Sequence, residues 1–360
     1  MIDVPVRLGV RSYRIVVGAG VLATAGAEIS RLKVGRRVAL VTDEAILGLH
    51  GAAVIQSLAA AGFEVTTVLL PEGERAKTLE VAASAWERFL EAGLDRSSTV
   101  VALGGGAVGD LAGFAAATYM RGVNLVQVPT TLLSQVDASI GGKTAIDHPR
   151  AKNLIGAFYQ PRLVLADAST LLTLPERELR SGLAEVIKHG IVLDAAYFDE
   201  VERDAAALVK RDLPTLERIV AGSCRLKASV VERDEQEAEL RHVLNYGHTI
   251  GHAIEAVTGY RRFAHGEAVS LGIAAEAGIA ERLGLAAPGV RARQVRLLEA
   301  VGLPVRGVGE PPDRVAEALS RDKKVKDGRV PFVLAPGIGT FRIVFDVPRP
   351  VILDALAELG

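Results

Sequence analysis

Two stretches of this 360-residue sequence gather side chains that could do chemistry. In residues 183–190 (LAEVIKHG), Glu185 and Lys188 lie three apart, so a helix would put them on one face. Their neighbours are apolar, and a lone charge there would be costly to bury. In residues 245–255 (NYGHTIGHAIE), His248 and His252 are four apart on one helix face, and His265 and Glu267 follow in AHGEAV. Together with His189 and His242, these account for five of the seven histidines. Two histidines and a carboxylate are a common ligand set for a catalytic zinc, with one position left for water or substrate. Spacing alone nominates His248 and His252, although a loop histidine such as His265 can close the same tetrahedron. The alternative reading of the cluster is a set of capping or core histidines.

A second kind of chemistry is suggested by the glycine cluster at 104–110 (GGGAVGD), which follows the strand-like TVVAL and opens a helical stretch. Its glycines match G-x-G-x-x-G, a turn that lets backbone N–H groups and a helix N-terminus approach a pyrophosphate. The acidic residue expected about 20 positions later is missing, because that stretch reads NLVQVPTT. Asp43, at the end of RVALVT, could serve the ribose instead; a plain strand-to-helix turn is the other reading. The loop 71–78 (PEGERAKT) mixes both charges and by itself reads as solvated. Residues 141–144 (GGKT) resemble the end of a phosphate loop, but Asp137 stands where that motif needs glycine, which leaves an anion cradle with a lysine. Arg121, Lys143, Lys152, Lys188, Lys227, Arg241 and the Lys323-Lys324 pair are each readable as surface charges. Taken with a dinucleotide turn and a metal cluster, they suggest a phosphorylated or carboxylated substrate.

The elements that must position these residues divide in two. Strand-like runs at 4–10, 13–17, 37–42, 64–70, 99–103 and 125–128 alternate with helical runs at 45–61, 78–92 and 107–117. That alternation predicts parallel βαβ units with helices on both faces of a sheet. From about Leu172 the period changes: 175–203, 213–233, 242–257, 265–283 and 290–301 carry helical spacing, with strands expected only at 330–334 and 341–345. We therefore expect an α/β domain over 1–172 and a mainly α-helical domain over 173–360. Hydrophobic residues make up 49% of the chain, which excludes disorder, and the single cysteine, Cys224, excludes a disulfide scaffold. A formal net charge of -1 gives no global field for nucleic acid or an anionic membrane. No apolar run reaches the roughly 18 residues of a spanning helix, and the start has no signal-peptide pattern. These features fit a cytoplasmic enzyme that binds neither nucleic acid nor membrane.

In order along nearly the whole chain, PEGERAKT, GGGAVGDLAGFAAATYMRG, QVPTTLLSQVDASIGGKTAID, KNLIGAFYQP, GLAEVIKHG, LNYGHTIGHAIE and HGEAV resemble the 3-dehydroquinate synthases, in the sugar phosphate cyclase superfamily. The resemblance implies a Rossmann-like NAD-binding domain, a helical domain that holds Zn2+ or Co2+, an active site in the cleft between them, and a homodimer. It implies a lyase of the shikimate pathway, toward chorismate and aromatic amino acids. The implied reaction takes 3-deoxy-D-arabino-heptulosonate 7-phosphate to 3-dehydroquinate and phosphate. Transient oxidation by NAD+, phosphate elimination, re-reduction and intramolecular aldol closure follow one another.

The resemblance also implies roles. Glu185, His248 and His265 match the metal ligands, in place of the spacing-based choice of His252, which falls among the substrate phosphate contacts. Glu72, Gly73, Glu74, Arg75, Ala76 and Lys77 match NAD contacts, as do Gly106, Ala107, Val108, Gly109 and Asp110. Thr130, Thr131, Thr170, Leu171, Leu172 and Thr173 match further ones, and Lys143 and Lys152 are associated with both cofactor and substrate. Asp137, Asn153, Lys188, Lys227, Arg241 and Asn245 match substrate positions, with Arg121 and Lys323 or Lys324 reaching in from loops. Three rival readings remain. They are another cyclase such as a 2-deoxy-scyllo-inosose synthase, a metal-dependent polyol dehydrogenase of the glycerol dehydrogenase type, and a non-enzymatic protein with a decayed site. Lys152 and Asn153 suit a carboxylated substrate and so favour the dehydroquinate enzyme over the first rival.

Overall fold

The structure, a computed structural model, describes residues 1–319 and 330–360. The chain forms two compact units, Met1–Leu174 with Leu216–Gln236, and Pro175–Thr215 with Glu237–Gly360. A single cut near Leu172 makes no provision for the return of Leu216–Gln236 to the first unit. Lys323 and Lys324 lie outside the described residues.

The first unit is built on a seven-stranded sheet of order β1-β2-β9-β6-β5-β3-β4. Its strands are β1 (Ile2–Val6), β2 (Tyr13–Gly18), β3 (Arg37–Asp43), β4 (Glu64–Leu70), β5 (Thr99–Gly104), β6 (Asn124–Pro129) and β9 (Leu163–Asp167). Only β1 runs antiparallel to its neighbour; every other pairing in the sheet is parallel. The strand period of two divides the side chains between two cores. Ala39, Val41, Val100, Ala102 and Leu125 join a cluster with helices α4 (Leu79–Glu91) and α5 (Gly106–Thr118). Val38, Leu40, Val101, Leu103, Val126 and Val128 join another with α1 (Ala25–Ser30) and α3 (Ala52–Ala60), which follows the short α2 (Glu44–Ile46). A separate hairpin, β7 (Lys143–His148) with β8 (Ala151–Phe158), packs along α5.

The second unit carries α6 (Glu176–Leu193), α7 (Ala195–Val209), α9 (His248–Val257), α10 (His265–Arg282), α11 (Val290–Ala300), α12 (Pro312–Leu319) and α13 (Arg349–Ala357). Strands β10 (Phe332–Leu334) and β11 (Arg342–Val344) pair antiparallel beside them, and α8 (Leu213–Arg233) passes from this unit to the first. Among the described residues, no helix is long and apolar enough to cross a membrane.

Several expectations are corrected. The helix expected over 175–203 breaks at Asp194, whose extended backbone and side chain cap α7 by accepting the Tyr197 N–H at 3.0 Å. The helix expected over 242–257 is a 3-10 turn, Leu240–Asn245, followed by a left-handed Gly247 at φ 77° and then α9. The strand expected over 4–10 stops at Val6. Strands β7, β8 and β9 and helices α1, α12 and α13 are additional to the expected elements. Strand β8 is exposed along most of its length, so it lacks the alternation that marks a half-buried strand.

Candidate active-site residues of the two units

In the first unit, chain order runs from β3 outward to β4 and then back past β3 to β5, which makes the β3/β5 border a topological switch point. Ligands of open α/β sheets bind outside the carboxyl ends of the strands at such a point. Asp43 ends β3, and its carboxylate accepts the Ile46 N–H at 2.8 Å as a helix cap. Gly104 ends β5, and the first turn of α5 holds Gly106, Ala107 and Val108. Helix geometry leaves their N–H groups without intrahelical partners, as an anion site requires. A Cβ on Gly109 would meet Gln127 Oε1 at 2.8 Å, so this glycine permits the close packing of α5 on β6.

The other sequence-nominated cofactor residues, apart from Lys143 and Lys152 on the hairpin, lie at the same sheet edge. Glu72, Gly73, Glu74, Arg75, Ala76 and Lys77 follow β4, Thr130 and Thr131 follow β6, and Thr170, Leu171, Leu172 and Thr173 follow β9. Lys77 is buried, donates to Asp110 Oδ2 at 2.7 Å and also donates to Asn153 Oδ1 on the hairpin. Asp147 Oδ1 accepts the Asn153 N–H at 2.7 Å, and Lys152 Nζ lies 3.4 Å from Glu74 Oε2. Burial pushes the Asp110 carboxyl up to about 6 against the pull of the Lys77 charge. Burial lowers Lys77, but Asp110, Glu74 and Asp147 together hold its ammonium above the ordinary lysine value. Lys227, on α8, donates to the Asp137 carbonyl at 2.6 Å and to its carboxylate. Lys143 begins β7, and Arg121 follows α5 with a left-handed backbone at φ 65°.

In the second unit, three elements deliver one side chain each to a common point. Glu185 is fully buried in α6, His248 is the first residue of α9 and His265 the first of α10. The α9–α10 approach depends on Gly272, where a Cβ would meet the Gly247 carbonyl oxygen at 1.9 Å. The buried Glu276 accepts the N–H groups of Gly247 at 2.7 Å and Ile250 at 3.3 Å, fixing the turn that carries His248. Glu267 accepts the Ala264 N–H at 2.8 Å and is gripped by Arg177, fixing the turn that carries His265. Burial raises the Glu267 carboxyl, but Arg177 and the Ala264 N–H hold it below its ordinary value.

Nε2 of His248 is 3.4 Å, and Nε2 of His265 3.9 Å, from Glu185 Oε1. Tetrahedral ligand bonds of about 2.0–2.2 Å put ligand atoms roughly 3.3–3.6 Å apart, so the His248 distance matches one ion and the His265 distance is a few tenths of an ångström wider. The His248 Nδ1 lies 3.1 Å from the Tyr246 carbonyl oxygen and donates there, so in the neutral ring the Nε2 lone pair faces a carboxylate oxygen. Two acceptors in that relation need a cation between them. Both Glu185 oxygens are buried without a hydrogen bond, although Lys188 forms an ion pair with Oε2. The donor set therefore fits a divalent metal.

Among the described residues His252 joins a different trio, with Glu255 and His265, while the Glu185 trio contains His248 and His265. The pair chosen from spacing alone is thus not the pair that meets Glu185. The ring of His252 is 5.4 Å from that of His248 and 6.1 Å from that of His265. Arg241 is buried on the 3-10 turn, and Asn245 Nδ2 is 3.5 Å from His242 Nδ1. Sequence reasoning gave no role to Glu255 or Glu276. Glu255 was findable, because it lies seven residues after His248 on the same face of α9.

The 3-dehydroquinate synthase N-terminal family matches residues 67–181, and the 3-dehydroquinate synthase C-terminal family matches residues 182–325. The chain is 50% identical over 358 residues to a curated 3-dehydroquinate synthase of Pelotomaculum thermopropionicum, covering 99% of this chain and 96% of that protein. It is 49% identical to that of Microcystis aeruginosa, covering 99% and 98%. Among solved structures, a 2-epi-5-epi-valiolone synthase from Streptomyces hygroscopicus with NAD+ and Zn2+ bound aligns with a TM-score of 0.88 at 30% identity over 96% of both chains. A glycerol dehydrogenase from Schizosaccharomyces pombe aligns at 0.69 with 17% identity, over 96% of this chain and 88% of that one, a likeness of fold alone.

Proposed function

The chain belongs to the 3-dehydroquinate synthase family, and from that premise we propose how its residues divide the work. It converts 3-deoxy-D-arabino-heptulosonate 7-phosphate to 3-dehydroquinate and phosphate, with NAD+ and one divalent metal as cofactors. The observation that carries this reading is identity of half the residues to a synthase of that name over 99% of the chain.

In this reading the 1–172 domain takes the dinucleotide along the carboxyl edge of its sheet. The α5 N-terminus, from Gly106 to Asp110, receives the pyrophosphate, and Asp43 serves the ribose. Glu72–Lys77, Thr130, Thr131 and 170–173 complete the contacts. The 173–360 domain holds the metal on Glu185, His248 and His265, a set suited to Zn2+ or Co2+. When bound, NAD+ accepts and returns a hydride and the divalent ion polarises substrate hydroxyl oxygens.

The substrate carries a phosphate and a carboxylate, which call for cations and amides. We assign Lys188, Arg241, Asn245 and His252 of the second unit to it, and Lys143, Lys152, Asn153, Asp137, Lys227 and Arg121 of the first, with Lys324 added from the sequence. Arg241 and Lys188 are buried, so they are held in place before substrate arrives, which lowers the cost of ordering it. Exposed Lys143 and Lys152 are the less constrained members. We further propose a homodimer in the cytoplasm; a single, buried cysteine suits a reducing compartment. The test is incubation of the chain, Zn2+ and NAD+ with the heptulosonate phosphate, followed by product identification. 3-Dehydroquinate supports the assignment. No turnover of that substrate, with cyclisation of glucose 6-phosphate instead, transfers it to another cyclase.

A further inference from the structure

We infer that Glu255 is a positioning residue for metal binding: its carboxylate holds His265 in the tautomer that offers Nε2 to the ion and strengthens that nitrogen as a donor. The inference rests on the reading of Glu185, His248 and His265 as metal ligands. Nδ1 of His265 lies 3.2 Å from Glu255 Oε1, and the opposite ring nitrogen faces Glu185. An ionised carboxylate only accepts hydrogen bonds, so Nδ1 carries a proton, and the neutral ring that binds a metal then has its lone pair on Nε2.

His248 is anchored in the same sense, but on the neutral carbonyl of Tyr246. Behind His265 the anchor is an anion, the Glu255 carboxylate. Such a carboxylate draws on the Nδ1 proton and makes Nε2 the more basic ligand. The topology gives this arrangement a purpose. The His265 side chain is 33% exposed, against 12% for His248, so it is less confined by packing and gains more from a directional anchor. Helix α9 thereby supplies one ligand, His248, and the anchor of the other, Glu255.

A different use of the same residues is a second ion held by His252, Glu255 and His265, which bring one donor atom each within 4.8 Å of one another. That arrangement needs the lone pair on Nδ1 instead, and it changes the stoichiometry.

The experiment uses the full-length chain and its Glu255→Ala and Glu255→Gln variants. Affinity for Zn2+ and Co2+ is measured by competition with a chromophoric chelator, together with the visible spectrum of bound Co2+, the ion count per chain, and NAD+ binding as a control for folding. Expected are one ion per parent chain, affinity about 10–100-fold weaker in Glu255→Ala, and a smaller loss in Glu255→Gln, which keeps an acceptor oxygen without the charge. The Co2+ spectrum should change while NAD+ binding does not. Parent-like affinity in the variants overturns the inference, as do two ions per parent chain falling to one. If Glu255→Ala does not fold, the affinity of the isosteric Glu255→Gln decides between the same two outcomes. A parent chain that binds no ion, or a His265→Ala variant with parent affinity, instead overturns the underlying metal assignment.

Discussion

Replacing Lys77 by methionine removes the cation that balances Asp110 and leaves the shape of the side chain nearly intact. Lys77 is 3% exposed and its ammonium is 2.7 Å from the Asp110 carboxylate. Even with that partner, burial holds the Asp110 carboxyl at about 6, up from 3.8. Without it the folded-state value must rise further. A carboxyl raised in the folded state contributes stability at low pH, below its unfolded value, and loses it as pH rises through the folded value. In the parent that loss is nearly over at about 6 and complete about one pH unit higher, where the stability is flat with respect to this group. In Lys77→Met the loss continues, at up to about 1.4 kcal/mol per pH unit. The stability gap between parent and variant should therefore widen by up to about 2 kcal/mol between pH 6 and pH 8. Lys77 itself titrates above the ordinary lysine value and stays charged throughout that window. The assay is urea unfolding of the cofactor-free chain followed by Trp86, the single tryptophan, which lies on α4 in the same unit. Lys77→Met combined with Asp110→Asn should abolish the pH dependence of the gap. A gap that is constant from pH 6 to 8, or persists unchanged in the double variant, refutes the pairing as the cause.

Three further outcomes are expected. His265→Ala should lose bound metal while His252→Ala keeps it and loses turnover, as measured by metal content and initial rates; full metal in the first variant removes His265 from the site. Gly272→Ala should lower thermal stability by about 1–3 kcal/mol or more and weaken metal binding, because its Cβ would lie 1.9 Å from the Gly247 carbonyl oxygen beside His248. An unchanged melting temperature would mean that α9 and α10 can separate freely. Asn153→Ala should reduce turnover of the heptulosonate phosphate without abolishing NAD+ binding by calorimetry, and unchanged kinetics would remove it from the substrate set.

All of the sheet but β9 was legible because its strands are short apolar runs punctuated by glycine and proline, and because RVALVT and TVVAL end at polar or glycine-rich turns. The hairpin β7–β8 was not, since β8 faces solvent and its residues obey no burial period. The helical half was legible as helices, but the breaks were hidden. Asp194 looks like any helix-surface acid until its side chain is seen to cap α7, and Gly247 reads as a tolerated glycine until its φ of 77° ends the turn before His248. The proposed metal ligands illustrate the limit of spacing. His248 and His252 do share a face, yet the third element, α10, brings His265 to Glu185, and no local period encodes a contact between helices. Family resemblance supplied that long-range information. Glu276 was invisible for the same reason, being 26 residues beyond the Ile250 N–H it accepts.

A redox-neutral cyclisation is visible when phosphate release and NADH absorbance are followed together, with NAD+ well below the heptulosonate phosphate concentration and Zn2+ present. Many phosphates should be released per NAD+, with only a small, steady NADH signal, because the hydride taken from the substrate is returned before product leaves. One NADH accumulating for each substrate consumed, with no phosphate released, would contradict the account and make the chain a dehydrogenase.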